Sequence, residues 1–293
     1  MKATFLTDRG VVKVGGDNAR GFLNGLVTTD IDLLQPGLGR FGALLTPQGK
    51  IITDFLVTQA TAGQGGGFLF DVPKVLAQTL TDRLGFYKLR AKVTVENLSD
   101  GLGVLAVWDG EPAMKPDLTF ADPRDARLGW RILVPADLAG KAASAIGADM
   151  VDVSGYEAHR IACGVPRGGT DFTYGDAFPH ETNMDRLHGV DFDKGCYVGQ
   201  EVVSRMEHRG TARTRTIRVI VAQSVPEPGI GITAGDKTIG TMGSTANGLG
   251  LALLRTDRTS DALDAGLPLT AGGLPVSIVA LDDIKQAPKK ASA

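Results

Sequence analysis

The sequence has few of the residues that would define a secreted or membrane-bound protein. Only 2 of its 293 residues are cysteine, so a framework of disulfide bonds cannot be built. No apolar run approaches the roughly 18 residues that a membrane-spanning helix needs. The first residues, MKATFLTDRGVVKV, contain no apolar segment of signal-peptide length. We therefore expect a cytoplasmic protein with reduced thiols and no membrane partner.

An excess of charge of either sign is also missing. The chain has 31 basic and 33 acidic residues, a formal net charge of −2. This balance gives no reason to expect a direct nucleic-acid partner. The sequence lacks the glycine-rich patterns of dinucleotide and phosphate loops and the GxSxG pattern of a hydrolase. Its two cysteines lie 33 positions apart and its four histidines show no paired spacing, so we predict no resident metal.

Short apolar segments alternate with helical patterns over the first half of the chain. FGALLTPQGKIITDFLV predicts a hairpin, and Asp17 is a suitable N-cap for a helix beginning at ARGF. In KVLAQTLTDRLGFYKL, an apolar stripe that includes Val75 and Leu80 predicts a second helix. Hairpins mixed with helices favour an α+β fold over a doubly wound parallel sheet.

The second half of the sequence contains two regions that differ in composition from the first half. Residues 164–195 form a long stretch rich in Gly, Pro, Asp and His, and a loop of this length in a compact domain usually has a function. From Thr216 onward, short apolar segments such as TIRVIVA and LGLALL are separated by Gly, Pro and Asp. This spacing predicts a small antiparallel barrel.

The segment KGCYVGQE holds Cys196 at the end of the irregular stretch, with Lys194 two residues before it. A helix is predicted to begin at Gln200, with Glu201 in its first turn. A nearby cation and a helix N-terminus favour the thiolate, the form that binds soft metals and attacks disulfides. An inert, buried thiol is the ordinary alternative, and the residues alone leave both open.

Further polar residues have two interpretations each. Asp54 is a buried functional carboxylate or, as we favour, a strand-end residue facing water. Glu181 and Asp185 can accept hydrogen bonds from a nitrogen heterocycle or cap a short helix. A basic run after the thiol segment forms a solvated face or receives a ligand carboxylate. The run consists of Arg205, His208, Arg209, Arg213, Arg215 and Arg218.

KGCYVGQEVVSRMEHRGTARTR resembles the signature of the YgfZ family of folate-binding proteins, nearest the branch that contains a mitochondrial iron–sulfur assembly factor. FLNGLVTTDI, LLTPQGKIITDFLV and HRIACGVPRGG extend the resemblance over most of the chain. Wider relatives are the tetrahydrofolate-dependent aminomethyltransferases, such as the glycine-cleavage T protein.

The resemblance implies a three-part ring of two mixed α/β, ferredoxin-like modules and a C-terminal antiparallel β-barrel, with folate in a central channel. The predicted boundaries are 1–45 with 150–215 for a discontinuous first module, 46–149 for a second, 216–285 for the barrel and 286–293 for a disordered tail.

The family's motif cysteine falls on Cys196, and Asp54 matches the catalytic aspartate of the transferases. The position of their pterin-holding glutamate is Ala162, so the pterin needs another acceptor, and Glu181 can serve. The resemblance makes Cys196, Lys194 and Asp54 the candidate catalytic residues. Its candidate folate contacts are Asp54, Glu181, Tyr197, Gln200, Glu201 and Arg205.

Two functions follow from the resemblance. The first is a tetrahydrofolate-binding protein that assists assembly or repair of iron–sulfur clusters, especially the four-iron clusters of radical enzymes that include tRNA-modifying ones. Its partners would be iron–sulfur carrier and client proteins, and a transient cluster would pass through Cys196. The alternative is an enzyme, a transferase that moves a one-carbon unit to tetrahydrofolate with Asp54 orienting the amine.

Overall fold

Contacts divide the chain into two compact units. In this computed structural model, residues 1–210, 212–221 and 227–280 are described. The first unit consists of Met1–Tyr156 and Asp185–Gln200, and the second of Glu157–Met184 and the residues from Glu201 onward. The segment that carries Cys196 therefore belongs to the first unit, although almost thirty residues of the second precede it in the sequence.

Two five-stranded sheets form the frame of the first unit. The strands are β1 (Lys2–Leu6), β2 (Arg9–Gly15), β3 (Gly39–Leu45), β4 (Ile51–Gln59), β5 (Phe68–Pro73), β6 (Thr94–Asn97), β7 (Gly103–Trp108), β8 (Thr119–Ala121), β9 (Trp130–Val134) and β10 (Asp149–Met150). The orders are β10-β1-β7-β9-β8 and β3-β4-β5-β2-β6. Among the strand pairs described in these sheets, β1 with β10 alone is parallel. The expected α+β class is confirmed.

Helices cover one face of each sheet. They are α1 (Ala19–Asn24), α2 (Lys74–Tyr87) and α3 (Ala139–Ala145). Leu23 of α1 and Leu80 of α2 join Phe55 and Phe70 of the second sheet in one buried core. Ala143 of α3 packs in the core of the first sheet. Burial of these apolar side chains stabilises the two layers.

A buried ionic network connects the two sheets. Asp71 on β5 binds the Nε of Arg9 at 2.5 Å and Nη1 of Arg131, on β9 of the other sheet, at 3.4 Å. Arg131 also reaches Asp122 at 3.2 Å, and Asp122 holds Arg124 with both carboxylate oxygens at 2.9 and 2.7 Å. Because each carboxylate serves two guanidinium groups, no single pair can be removed without leaving a buried charge poorly compensated.

A closed barrel forms most of the second unit. Its strands are β11 (Thr214–Val221), β12 (Gly231–Ala234), β13 (Lys237–Ala246), β14 (Leu249–Arg255), β15 (Leu269–Ala271) and β16 (Leu274–Ile278), in the order β11-β14-β13-β12-β15-β16. Apolar side chains such as Ile217, Val219 and Leu254 fill its core. The helices are α4 (Val153–Cys163), which starts in the first unit, α5 (Gln200–Arg209) and α6 (Thr256–Asp264). The predicted barrel is confirmed.

The sheets divide the chain differently from the predicted modules. The boundary between residues 45 and 46 falls between β3 and β4, which pair along their length in one sheet. Contacts give two compact units, and the predicted three-part boundaries stay a prediction. The predicted tail, 286–293, lies outside the described residues. Within those residues, no helix is both long and apolar enough to cross a membrane.

Three local predictions are wrong. The N-cap of α1 is Asn18, not Asp17, and the Asn18 amide oxygen accepts from the backbone N of Lys92. Val75 of α2 is 87% exposed, because the buried stripe runs through Ala77 and Leu80. Asp54 does not face water; it lies within β4, a strand covered on both sides by neighbours, and is 7% exposed.

Removing the central carboxylate of the network tests its contribution to stability. Asp122→Asn should lower the free energy of unfolding by about 3–5 kcal/mol at neutral pH, because Arg124 loses the carboxylate it binds. Burial alone would raise the pKa of Asp122, but Arg124 and Arg131 hold it at about 2, below the ordinary 3.8. That stabilisation is complete above the ordinary pKa and is lost as the pH falls toward the lowered one.

The difference between parent and Asp122→Asn should therefore shrink by about 2 kcal/mol between about pH 5 and about pH 2. Urea denaturation followed by tryptophan fluorescence measures it. Asp109→Asn, which breaks an exposed ion pair with Lys2, is the matched control and should cost less than about 1 kcal/mol at any pH. A parent–variant difference that does not change with pH would contradict the account.

Candidate functional site

The thiol loop, residues 189–199, is tied to the first unit on the side that precedes Cys196. The hydroxyl of Thr28 donates to the carbonyl of Gly189 at 2.6 Å, and the backbone N of Asp191 donates to the carbonyl of Thr28 at 2.9 Å. The Asp191 carboxylate lies 3.5 Å from the guanidinium of Arg40 on β3. These contacts fix where the loop begins.

Lys194 is the main anchor of the thiol loop. Its ammonium donates to three backbone carbonyls, that of Asn24 at the end of α1 at 2.7 Å and those of Val27 at 2.6 Å and Thr29 at 3.0 Å after the helix. The residue is 8% exposed. Burial lowers the pKa of Lys194 to about 8, with Asp30 and Asp191 acting in the opposite direction. An ammonium has three donors, and here each has an acceptor.

The side of the loop that follows Cys196 is held by packing. The Tyr197 ring is buried and lies 5.1 Å from the Lys194 ammonium, and burial raises the pKa of its hydroxyl. Val198 packs against the core of the second sheet. Gly199 has φ +83° and lies so close to the β3–β4 turn that a Cβ would be 2.7 Å from the carbonyl oxygen of Thr46. Only glycine fits this contact.

Cys196 lies between these two held sides, and its thiol is free and exposed. The other cysteine, Cys163, is a buried residue of the second unit with its sulfur 3.9 Å from Nε2 of His159. The interpretation of Cys196 as a packed small hydrophobe is therefore excluded. An exposed thiol can become a thiolate ligand for a soft metal, but one thiolate supplies only one of the usual four ligands of an iron–sulfur cluster.

The predicted partnership between Lys194 and the thiol has a different geometry from the one expected. The ammonium is directed at the three carbonyls at the end of α1 and just after it. Lys194 thus fixes the backbone that carries Cys196. A direct part for Lys194 in the chemistry of the thiol stays a prediction.

Asp54 lies in the same unit, on β4 opposite Ala43 of β3. Arg124 is its charged neighbour. Burial lowers the pKa of this guanidinium, but the pKa is raised overall by Asp122 and, to a smaller extent, by Asp54. The Arg124 guanidinium also lies over the ring of Phe41 at 5.7 Å. A buried carboxylate that faces a cation can orient an amine or a heterocyclic N–H group.

Glu181 belongs to the second unit, in a single 3₁₀ turn formed by Pro179–Thr182. Its carboxylate accepts from the backbone N of Phe178 at 2.8 Å, so the predicted capping role is confirmed. It also lines a cavity of about 430 Å³, together with Asp171, Asp176 and the ring of Phe172. Carboxylates around a cavity suit a ligand that offers N–H donors, as the amino and ring N–H groups of a pterin do.

The remaining predicted residues are less well placed for a ligand. Gln200 is the first residue of α5, and Glu201 and Arg205 of that helix form an exposed ion pair at 2.6 Å. The predicted basic run does not form one patch. Arg215 donates to the carbonyl of His180 at 3.0 Å, and Arg218 donates to that of Ala162 at 2.9 Å.

Sequence reasoning missed two contributors to the site. Thr28 binds the thiol loop in both directions, and no local pattern distinguishes it from its neighbour Thr29. Arg124, next to Asp54, lies in a polar stretch that reads as a surface excursion. Both depend on contacts between residues far apart in the sequence.

Comparisons with known proteins agree with this fold. Residues 213–285 match a family model described as the C-terminal beta-barrel domain of CAF17. The aminomethyltransferase T of the glycine cleavage system from Bartonella henselae has a similar structure, with a TM-score of 0.73, 16% identity and coverage of 96% of this chain and 85% of that one. At this identity the likeness shows the fold alone.

Two curated relatives are similar over most of both chains. The mitochondrial iron–sulfur cluster assembly factor IBA57 homologue of Pyricularia oryzae is 33% identical, covering 92% of this chain and 75% of its own. Human mitochondrial IBA57 is 31% identical, covering 88% and 78%. The expectation of a cytoplasmic protein is contradicted, because these relatives are named as mitochondrial. The chain belongs to the IBA57 family of iron–sulfur cluster assembly factors.

Proposed function

We propose that the protein assists the assembly or repair of iron–sulfur clusters and that Cys196 is the residue that meets the cluster. The observation that carries the proposal is the exposed thiol on a loop held by Lys194 before it and by Gly199 after it. Such a loop presents sulfur in a fixed direction with little loss of conformational freedom on binding. Membership in the IBA57 family supports the same function.

The cluster is cargo, passed between a carrier and a client protein. Because Cys196 supplies one ligand, the others come from the protein that delivers or receives the cluster. Sulfur ligands of the carrier and the client can replace each other at the iron while Cys196 holds the cluster. The resemblance to the YgfZ family supports the proposal that the clients are radical enzymes with four-iron clusters, including enzymes that modify tRNA.

We also propose that the protein binds a reduced folate. The support is the likeness of its fold to an aminomethyltransferase and the presence of buried or cavity-lining carboxylates. Glu181 would accept from the pterin, which meets no glutamate at Ala162. Asp54 stays a predicted folate contact. When bound, a reduced folate supplies a carrier for one-carbon units. Tyr197, Gln200, Glu201 and Arg205 stay predicted contacts.

One-carbon transfer to tetrahydrofolate is the second candidate function. The observation that favours it is Asp54, a buried carboxylate on β4 with Arg124 as its charged neighbour. In that reaction Asp54 would hold an amine in position for transfer. An exposed thiol has no role in it, so Cys196 separates the two functions.

Replacing the thiol tests the assembly proposal. Cys196→Ser should reduce the activity of a radical enzyme with a four-iron cluster, measured in cells that produce only the variant, to the level of cells that lack the protein. A hydroxyl is a poor ligand for iron in a sulfur cluster. Cys163→Ala, which removes the buried thiol, should retain activity. Unchanged activity with Cys196→Ser together with a loss with Asp54→Asn would show the transferase instead.

A calorimetric titration with tetrahydrofolate tests the folate proposal. We expect saturable binding to the parent and about tenfold weaker binding to Glu181→Gln, because charge-assisted hydrogen bonds to the pterin are lost. Glu111→Gln, a change at an exposed carboxylate, is the control and should bind as the parent does. The absence of binding to the parent at millimolar tetrahydrofolate would reject the proposal.

A further inference from the structure

A surface at the end of α2 displays large apolar side chains that the fold does not use. Phe86, in the last turn of the helix, is 76% exposed, and Leu89, just after it, is 87% exposed. Both lie in the segment FYKLRAK, residues 86–92, which we name the FYKLRAK patch. Single exposed apolar residues are common, whereas contiguous exposed apolar surface marks interaction sites.

The backbone of the FYKLRAK patch is held firmly. The backbone N of Lys92 donates to the amide oxygen of Asn18 at 3.2 Å. Gly16 approaches so closely that a Cβ would be 2.3 Å from the Lys92 carbonyl oxygen. Leu89 has φ +41°, a left-handed conformation that costs free energy for a residue with a side chain. This turn leaves Leu89 exposed to solvent.

A depression lies directly beside the patch. It has a volume of about 510 Å³ and is lined by Asp17, Asn18, Gly21, Phe22, Arg90 and Ala91. The ring of Phe22 and the small residues Gly21 and Ala91 form apolar lining, and a Cβ at Gly21 would meet open space. The depression is large enough to receive an aromatic or branched aliphatic side chain.

The charge of this surface is mainly positive. The side chains of Arg83, Arg90 and Lys92 are exposed and form no ion pair within the described part of the chain. Lys88 reaches the carbonyl of Val93 at 3.5 Å. The complement of such a surface is an apolar side chain flanked by carboxylates.

We propose that the FYKLRAK patch and the adjoining depression dock an acidic amphipathic segment of a partner protein. An apolar side chain of that segment enters the depression against Phe22, other apolar residues cover Phe86 and Leu89, and carboxylates pair with Arg90 and Lys92. Nucleic acid offers no apolar side chain that could cover Phe86 and Leu89.

Site-specific photocross-linking in cells tests the docking proposal. The full chain carries p-benzoylphenylalanine in place of Phe86, and the cross-linked peptides are identified by mass spectrometry. The same probe in place of Val75 is the matched control, since Val75 is also 87% exposed but lies in the first turn of α2. We expect cross-links from position 86, and not from position 75, to one protein segment that contains Asp or Glu beside Leu, Ile or Phe.

Reversing one charge gives the decisive comparison. Arg90→Glu in the chain with the probe at position 86 should reduce that cross-link about tenfold, because the central charge pair becomes repulsive. Arg258→Glu, at an exposed arginine of the second unit, should leave it unchanged. Cross-links to a second copy of this chain, to a segment without acidic residues or equally from position 75, or no cross-link at all, would overturn the proposal.

Binding experiments with the purified protein test whether the patch binds anionic lipid or RNA instead of a protein segment. Binding of the parent to phosphatidylglycerol vesicles or to a single-stranded RNA oligonucleotide that is lost with Arg90→Glu would also overturn the proposal. The docking proposal does not depend on the function of Cys196, and two further variants test this independence. Cys196→Ser should leave the cross-link from position 86 intact, and Phe86→Ser should leave the Cys196 thiol open to alkylation.

Discussion

The ammonium of Lys194 is the interaction on which the presentation of Cys196 depends. It connects a loop near residue 194 with the end of α1 and the backbone after it, about 170 residues earlier, through three carbonyl oxygens. The ammonium would be costly to bury without these acceptors. The buried ammonium and the carbonyl oxygens therefore satisfy each other's hydrogen bonds. As a result, the Cys196 thiol is exposed on a thiol loop whose backbone is held in place.

The two kinds of polar group in the first unit have different tasks. The network of Asp71, Asp122, Arg124 and Arg131 is buried and holds the two sheets in one arrangement. Asp54 lies beside that network and is buried, whereas Cys196 is exposed. Cluster chemistry needs a sulfur that another protein can reach, and folate chemistry needs carboxylates shielded from water. The structure contains both.

Patterns within a few residues predicted most of the elements, and contacts across the chain explain what they missed. The hairpin of β3 and β4 and the barrel followed from alternation and turn residues. The sequence predicts the correct strand for Asp54 but the wrong exposure, because β4 lies between β3 and β5 inside the sheet, and that position depends on pairing with strands far along the chain. Lys194 was singled out for its proximity to Cys196, yet its partners lie at the end of α1 and just after it. The predicted basic run does not form one patch, because Arg215 and Arg218 donate to backbone carbonyls of the second unit.

Hydrogen–deuterium exchange of Lys194→Met tests the central claim most directly, namely that Lys194 holds the thiol loop in place. Lys74→Met, a change at an exposed lysine of α2, is the control. We predict that amides of residues 24–29 and 189–199 exchange about tenfold faster or more in Lys194→Met, while the sheets of the first unit exchange as in the parent. The same exchange in both segments for parent and variant would contradict the account.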